Sequence, residues 1–237
     1  MTFLKNLKGI ELTREKLKDF KKVVPVQIGL LLVTYLSKGL MDLFKVPYSV
    51  IIAELLFFFI LGIYVFLLWD MLRNYTRSRA LLLVLLVLIM GTFFIGVIFA
   101  NPLFPLLELR EFRIVTLLIM ITLLLVESFV VYFTITEIFK HDLSINERMW
   151  GAACIYMITG FAFGNVYEII DIISINSLDL GVPLGTTHFM KSISYSFHIL
   201  AGVSSSYPSS ELITNFTSIE SLWGNLFIVF VVGRLLL

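Results

Sequence analysis

The chain has 237 residues, 59% of them hydrophobic and 15% charged, and its formal net charge is +1. A soluble domain does not need this much apolar surface, and a near-neutral chain has no electrostatic reason to bind nucleic acid. The single cysteine, Cys154, excludes an intrachain disulfide and a cysteine-built metal site. We therefore expect an all-α integral membrane protein without a cofactor or metal.

Residues 1–22 form a basic N-terminal segment. They carry seven Lys or Arg residues and lack the apolar run of a cleavable signal peptide. By the positive-inside rule this segment is cytoplasmic. Its sequence fits two structures, a helix lying along the membrane surface and a partly disordered tail.

Residues 23–140 are predicted to form a domain of four membrane-spanning helices. The last three contain apolar runs long enough to cross the hydrocarbon core of a bilayer, and the first is the weakest because Lys38 and Asp42 lie in its outer half. The predicted spans are 23–44, 48–69, 80–100 and 114–139. The fourth span contains neither Lys nor Arg, so it lacks the arginine ladder of a voltage sensor.

Two acidic residues, Glu54 and Glu127, lie inside these apolar spans, where an acid is a functional candidate by default. Lys38 and Glu54 are each about six residues from the first outer turn, which places both roughly 9 Å deep. This spacing predicts a structural ion pair across the first hairpin. The sequence offers Glu127 no evident partner, so we assign it no role.

The last part of the chain contains two further predicted spans, 150–173 and 214–237. Six spans place both termini in the cytoplasm of a multi-pass plasma (inner) membrane protein. Residues 174–213 between them are too few and too polar for two more crossings, although 189–203 is too apolar for an ordinary loop. We expect a short helix that dips into the membrane and returns, surrounded there by protein or water.

This loop and its flanking helices carry a family pattern. Residues 195–208 read Tyr-Ser-Phe-His-Ile-Leu-Ala-Gly-Val-Ser-Ser-Ser-Tyr-Pro, which resembles the Tyr-Phe-Ser-Phe…Thr-Val-Gly-Tyr-Gly-Asp loop of tetrameric potassium channels. The helix before the loop has the Arg-x-x-Gly-Ala-x-x-x-Tyr pattern from Arg148, followed by Tyr167 and Asp171. The helix after it has the pattern Leu-Glu-x-x-x-Gly-Gln-Leu-Tyr…Ala-Arg-Leu in part. The matching residues there are Glu220, Gly224, Leu226, Arg234 and Leu235, with Asn225 in place of Gln.

Residues 145–237 thus resemble the pore domain of small prokaryotic six-span potassium-channel-like proteins. The resemblance implies a homotetramer in which each subunit supplies a re-entrant pore helix, about 189–201, containing Lys191 and His198. It also implies a five-residue selectivity filter. The filter positions are Gly202, Val203, Ser204, Ser205 and Ser206, of which only the valine agrees with Thr-Val-Gly-Tyr-Gly.

The departures predict a filter of different shape. Ser204 and Ser206 stand at the two glycine positions, where a left-handed backbone costs other residues about 1 kcal/mol, or roughly 8 kcal/mol over four subunits. We therefore expect a wider mouth lined by serine hydroxyls, which passes partly hydrated ions. A preference for monovalent cations would come from acidic residues at the outer vestibule, opposed by Lys191. The predicted vestibule residues are Glu168, Asp171, Glu211 and Tyr207, with Asp179 nearby.

The final helix contains the candidate hinge and gate. Gly224, next to Asn225, is either a hinge or a site of close helix packing. Phe227, Val231 and Leu235 repeat every four residues and share one face, which is either a hydrophobic constriction or a lipid-facing stripe. His198 would make conduction depend on pH, unless it is a buried neutral histidine.

These patterns favour a homotetrameric, weakly cation-selective ion channel that is not voltage-gated and has membrane lipids as its surroundings. The sequence has no nucleophile–base pair, phosphate-binding glycine loop or metal motif, so no enzyme is expected. Two alternatives stay open. One is a non-conducting scaffold or a regulated membrane-permeabilising component of a larger system, and the other is a small-solute or proton transporter that uses Glu54 and Glu127.

Overall fold

The protein is all-α in the part of the chain that the computed structural model describes. The described residues are 19–36, 39, 43–45, 48–75, 78–99, 109–138, 144–174, 177–203 and 210–235. They form seven helices, and we number these in chain order. The helices are α1 (19–36), α2 (Ser49–Tyr75), α3 (Arg79–Phe99), α4 (Leu109–Ile138), α5 (Ile145–Ile173), α6 (Thr186–Leu200) and α7 (Glu211–Leu235).

Four of these helices are long and apolar enough to cross a membrane. The candidate spans are Ser49–Tyr75, Arg79–Gly96, Phe112–Thr136 and Ile145–Ile173, on α2 to α5. They confirm a multi-pass membrane protein and the predicted second to fifth spans. The first and sixth predicted spans, on α1 and α7, stay predictions, and the basic segment before residue 19 lies outside the described residues.

The exposed surface of α3 is apolar along its length. Leu83, Val87 and Phe94 are 64%, 61% and 60% exposed, and they belong to a helix with only one charged residue. In water such a surface would be a large unpaired apolar patch. In a bilayer the hydrocarbon solvates it, so α3 has the character of a lipid-facing helix.

The interior of the bundle lies between α1, α2, α4, α5 and α6. Aromatic residues connect these helices: Tyr64 of α2 packs on Phe161 of α5 at 5.2 Å between ring centroids, and Phe57 of α2 packs on Phe189 of α6 at 5.8 Å. Helix α5 begins at a capping box, in which Ser144 and Glu147 bond to each other's backbone N–H. This cap fixes the start of the helix that carries most contacts to α6.

Helix α6 runs antiparallel to α5 from the C-terminal end of α5 towards its middle. Its first turn contacts Asp171 through His188, and its last residue, Leu200, accepts a hydrogen bond from Tyr156 at 3.2 Å. The chain is back at the starting end by Ser210, whose backbone N–H donates to the Ser177 carbonyl at 2.7 Å. The chain therefore enters and leaves this layer at the same end of the bundle, and α6 begins three residues before the predicted start at 189.

The close approach of α6 to α5 depends on glycine. A Cβ atom at Gly164 would lie 3.0 Å from the Cα atom of Ile193, which is backbone and cannot rotate away. A Cβ at Gly160 would lie 2.5 Å from the ring of Phe197. The two glycines are thus a packing surface for α6.

Replacing Gly164 with alanine should lower the free energy of unfolding by about 1–3 kcal/mol, because the added methyl group overpacks a backbone contact. Equilibrium unfolding in mixed detergent micelles measures this change. Gly91→Ala is the matched control, since Gly91 is also helical and a Cβ there meets nothing within 4 Å. Equal stability of the two variants would contradict the close packing of α5 and α6.

Candidate functional site

An open cavity lies where the C-terminal end of α6 meets the polar side of α7. The space within it that water can occupy is about 570 Å³. Its lining is formed by Ile199, Gly202, Val203, Thr217, Ser218, Ser221, Leu222 and Asn225. Hydroxyl and amide groups therefore follow one another along α7 on a helix that is otherwise apolar towards its C-terminal end.

The hydroxyl groups that line the cavity from α7 are oriented by hydrogen bonds within that helix. Thr217 Oγ1 and Ser218 Oγ both donate to the Thr214 carbonyl oxygen, at 2.8 and 3.0 Å. A hydroxyl that has donated its hydrogen retains oxygen lone pairs, which accept hydrogen bonds or coordinate a cation. The two side chains thus face their surroundings mainly as acceptors.

Helix α6 ends beside this cavity in a Schellman motif. The N–H of Val203 bonds to the His198 carbonyl at 2.9 Å and that of Gly202 to the Ile199 carbonyl at 3.0 Å. Gly202 has a φ of 72°, a left-handed conformation that glycine adopts without strain. The first predicted filter position is therefore a helix cap, a position that favours glycine.

A stripe of polar residues on α6 faces carboxylates of α5 and α7. His188, Ser192 and Ser196 are spaced by four residues and all three are buried. Ser192 Oγ donates to Glu168 Oε2 at 2.7 Å. A hydroxyl group buried without such a partner would cost several kcal/mol on transfer from water, roughly 2–7 depending on the reference state.

His188 lies between two carboxylates. Its Nδ1 is 2.7 Å from Glu168 Oε2 and its Nε2 is 3.2 Å from Asp171 Oδ2. A neutral imidazole donates through one nitrogen only, so this geometry favours the doubly protonated ring. Burial lowers the pKa of His188, but the hydrogen bonds to Asp171 and Glu168 outweigh it and raise this pKa to about 9.

Ser196 connects α6 to both neighbouring helices. Its hydroxyl is shared between two acceptors, the Gly160 carbonyl oxygen at 2.7 Å and the Glu220 carboxylate of α7. Glu220 is fully buried and also accepts a hydrogen bond from the hydroxyl of Tyr167. Tyr167 and Glu220 are two of the residues that carry the family resemblance, and the structure brings them together.

The start of α6 is held by further polar contacts. Thr187 Oγ1 donates to Glu54 Oε1 at 2.7 Å, which ties α6 to α2. Lys191 Nζ donates to the Leu180 carbonyl at 2.7 Å, and Asp171 Oδ1 accepts from the Leu178 N–H at 2.9 Å. Lys38, the predicted partner of Glu54, lies outside the described residues, so that ion pair stays a prediction.

Glu127 forms a second buried polar cluster, away from α6. Its carboxylate accepts a hydrogen bond from Tyr64 at 3.1 Å and another from Asn165 Nδ2 at 2.6 Å. These donors come from α2 and α5, so three candidate spans meet at one carboxylate. The sequence showed no partner for Glu127 because both partners are distant along the chain.

The predicted vestibule residues are not grouped at one surface. Glu168 and Asp171 are 0% and 7% exposed and are bound to α6, so they do not line an open surface in this structure, and their effect on ion preference stays a prediction. Their carboxylates are used to pair buried donors. Glu211 is exposed in the first turn of α7. Tyr207 lies outside the described residues, as do the filter positions 204–206.

The structure also places the predicted histidine and the predicted gate residues in different surroundings. His198 is exposed, with its ring 5.6 Å from that of Tyr35, so the alternative of a buried histidine is wrong for it. Gly224 is buried, and a Cβ there would lie 3.1 Å from the Leu200 carbonyl oxygen, which agrees with close packing.

Of the remaining gate candidates, Asn225 is exposed at the cavity. Phe227 packs on Tyr156 at 5.8 Å between ring centroids. The side chains of Val231 and Leu235 lie outside the part of α7 whose side chains the structure describes.

Sequence reasoning missed the residues that anchor α6. His188 and Ser192 were not singled out, and the only signal was their fourfold spacing with Ser196 within an apolar helix. Comparisons with protein-family models, with curated proteins and with solved structures find no match. The potassium-channel resemblance therefore stays a prediction.

The stability of the protein should fall as the pH rises from 6.5 to about 9. His188 binds its proton more tightly when folded, so its contribution is complete below its ordinary pKa of 6.5 and is lost as the pH passes about 9. Thermal unfolding in detergent micelles over this pH range measures the effect. His188→Gln should be less stable at pH 6 and flatten the profile, whereas His198→Gln, at an exposed position, should not. A wild-type slope in His188→Gln would contradict the assignment.

Proposed function

We propose that four copies of this chain surround a water-filled pore that conducts monovalent cations with weak selectivity across the plasma (inner) membrane. The observation that carries the proposal is the open polar cavity between the end of α6 and the polar side of α7. In a chain with four candidate membrane spans, a polar helix face of this kind needs water or polar protein opposite it. A central aqueous pore satisfies that need in all subunits at once.

The position of α6 supports a pore helix. It begins at one end of the bundle, stops beside the middle of α5 and is followed by a return to the same end at Ser210. A half-crossing helix is tolerated at membrane depth where its surroundings are protein or a water-filled cavity. The buried bonds of Ser192 and Ser196 supply the protein side, and the cavity beside Gly202 supplies the aqueous side.

The electrostatics of the cavity support a preference for cations. Thr217 and Ser218 present acceptor oxygens because their hydrogens are donated to α7. Between Thr214 and Asn225, α7 has no charged residue other than Glu220, which is buried away from the cavity. The pore would thus coordinate cations loosely through hydroxyl and amide oxygens, and sodium and potassium would permeate similarly.

Recordings from purified protein in planar bilayers test conduction. We expect unitary currents with a potassium-versus-sodium reversal potential near zero. A cysteine at Ser221, in a background with Cys154→Ala, should let a cationic thiol reagent reduce the unitary current. Val87→Cys is the matched control, because Val87 is exposed on the apolar surface of α3. Silence at all voltages and under membrane tension would favour a non-conducting scaffold, and coupled, saturable uptake without unitary currents would favour a transporter.

Placing glycine at the two filter positions where the potassium-channel pattern has glycine, 204 and 206, should raise potassium preference. The variant Ser204→Gly, Ser205→Tyr, Ser206→Gly reads Gly-Val-Gly-Tyr-Gly from residue 202, and it retains Gly202 because a φ of 72° would strain threonine. Ser205→Tyr alone is the control, since it leaves serine at both positions where a standard filter would require glycine. Bi-ionic reversal potentials measure the change. An equal permeability ratio in the triple variant and the control would contradict the filter register.

A further inference from the structure

A second cavity, which shares no lining residue with the first, lies between α2, α3 and α4, and the first turn of α6 closes one end of it. It is narrow: the space that the centre of a water-sized sphere can occupy within it is about 70 Å³. Aliphatic and aromatic side chains form most of its lining, among them Phe58, Leu61, Phe93, Ile119, Met120 and Phe189. We call this cavity the α2–α4 crevice.

Glycine keeps the crevice open. Gly62, Gly96 and Gly185 all belong to its lining. At Gly96 a Cβ atom would lie 3.6 Å from Ile119 and 4.0 Å from Phe58, which is ordinary contact, so a longer side chain there would extend into the crevice. At Gly62 the ring of Phe93 already fills this space, since a Cβ there would lie 2.8 Å from it, so Gly96 is the position at which a side chain would fill the crevice.

Two of the three threonine hydroxyls in the lining, those of Thr92 and Thr116, are already paired. Thr92 Oγ1 donates to the Leu88 carbonyl at 2.8 Å, and Thr116 Oγ1 donates to the Phe112 carbonyl at 2.9 Å. Both hydroxyls are therefore used within their own helices, and the crevice offers an occupant mainly methyl, methylene and aromatic surface. A polar solute would lose hydrogen bonds with water on entry and regain few, whereas a hydrocarbon chain would lose none.

The depth of the crevice matches one leaflet. Its lining runs along α4 from Phe112 to Leu123, which is eleven residues and about 16 Å at 1.5 Å per residue. Half of the hydrocarbon core of a bilayer is about 15 Å thick. Phe93, at the edge of the crevice, is 39% exposed and its neighbour Phe94 is 60% exposed, so the crevice opens on the lipid-facing surface of α3.

We propose that the α2–α4 crevice binds one acyl chain of a membrane phospholipid from the leaflet on the side where α6 begins. The chain lies between α2, α3 and α4 and reaches Phe189 in the first turns of α6. Three walls of the crevice are candidate membrane spans, so acyl chains surround its opening. The occupant is thus a lipid tail held in a defined place, in contrast to the mobile lipid around the rest of α3.

Photolabelling of the full-length protein in vesicles tests this assignment. The probe is a phosphatidylcholine with a diazirine on one acyl chain, and peptide mass spectrometry locates the label. We expect label at Met120 and Leu61 inside the crevice, in excess over the label at Phe59, which is 69% exposed on the outside of α2. Crevice labelling no higher than the labelling of Phe59 would overturn the proposal.

Gly96→Leu fills the crevice and is compared with Gly91→Leu, which places the same side chain on the same helix where a Cβ meets nothing within 4 Å. We expect about a tenfold loss of crevice labelling in Gly96→Leu, the factor that losing contact with about two buried methylene groups gives. Labelling at Phe59 should not change in either variant, and crevice labelling should not change in Gly91→Leu. Unchanged crevice labelling in Gly96→Leu would overturn the proposal.

Thr116→Leu is a second variant that fills the crevice, with the added side chain on α4. It replaces Gly96→Leu in the test if that variant does not fold. A diazirine fatty acid is used as the parallel probe. If the free fatty acid labels the crevice and the phospholipid does not, the assignment to a phospholipid chain is wrong. Because the readout is position of label, its outcome does not depend on whether the protein conducts.

Discussion

The structure depends on the pairing of buried polar groups between α6 and its neighbours. An apolar bundle at membrane depth gives no water to hydroxyl and imidazole groups, so each one needs a partner within the protein. Helix α6 meets this condition through His188, Ser192 and Ser196, which bond to carboxylates of α5 and α7. Hydrophobic packing is compatible with many positions of a short helix along α5. The carboxylate contacts restrict α6 to one position, and breaking one partner would leave the other buried and unpaired.

The position of α6 determines where the polar cavity lies. The buried polar residues of α6 fix the position of this helix along α5. Its last turn therefore ends against Gly224 of α7, where a Cβ would lie 3.1 Å from the Leu200 carbonyl oxygen. The residues that follow the helix then open onto Ser221 and Asn225. Gly224 thus acts through close contact: it lets α7 approach the end of α6 and turns the neighbouring polar side chains towards the open space.

The long helices could be predicted from the sequence, because an apolar run of bilayer length is a local property. The contacts between them could not. Glu168 and Asp171 looked like exposed acids near a helix end, and only the fold shows that they face His188 across α5 and α6. Glu127 likewise meets partners on other helices. Gly202 was assigned from a filter pattern, whereas its left-handed φ and the Schellman bonds show a helix cap. A residue pattern predicts whether a segment is a helix or a loop. Which side chains pair across helices depends on the tertiary structure, which a local pattern does not contain.

A hydroxyl group that donates to a carbonyl of its own helix occurs in both cavities, but its surroundings differ between them. Thr92 in the α2–α4 crevice and Ser218 beside the polar cavity both donate to a carbonyl of their own helix. Around Thr92 the neighbours are aromatic and aliphatic, so its oxygen is an isolated acceptor in an apolar wall. Around Ser218 several hydroxyl and amide groups follow at helical spacing, so acceptor oxygens accumulate. The accumulation, more than any single side chain, distinguishes a face that needs water or polar partners from one that hydrocarbon solvates. This difference fits the proposed pore, with α3 towards lipid and α7 towards the pore axis.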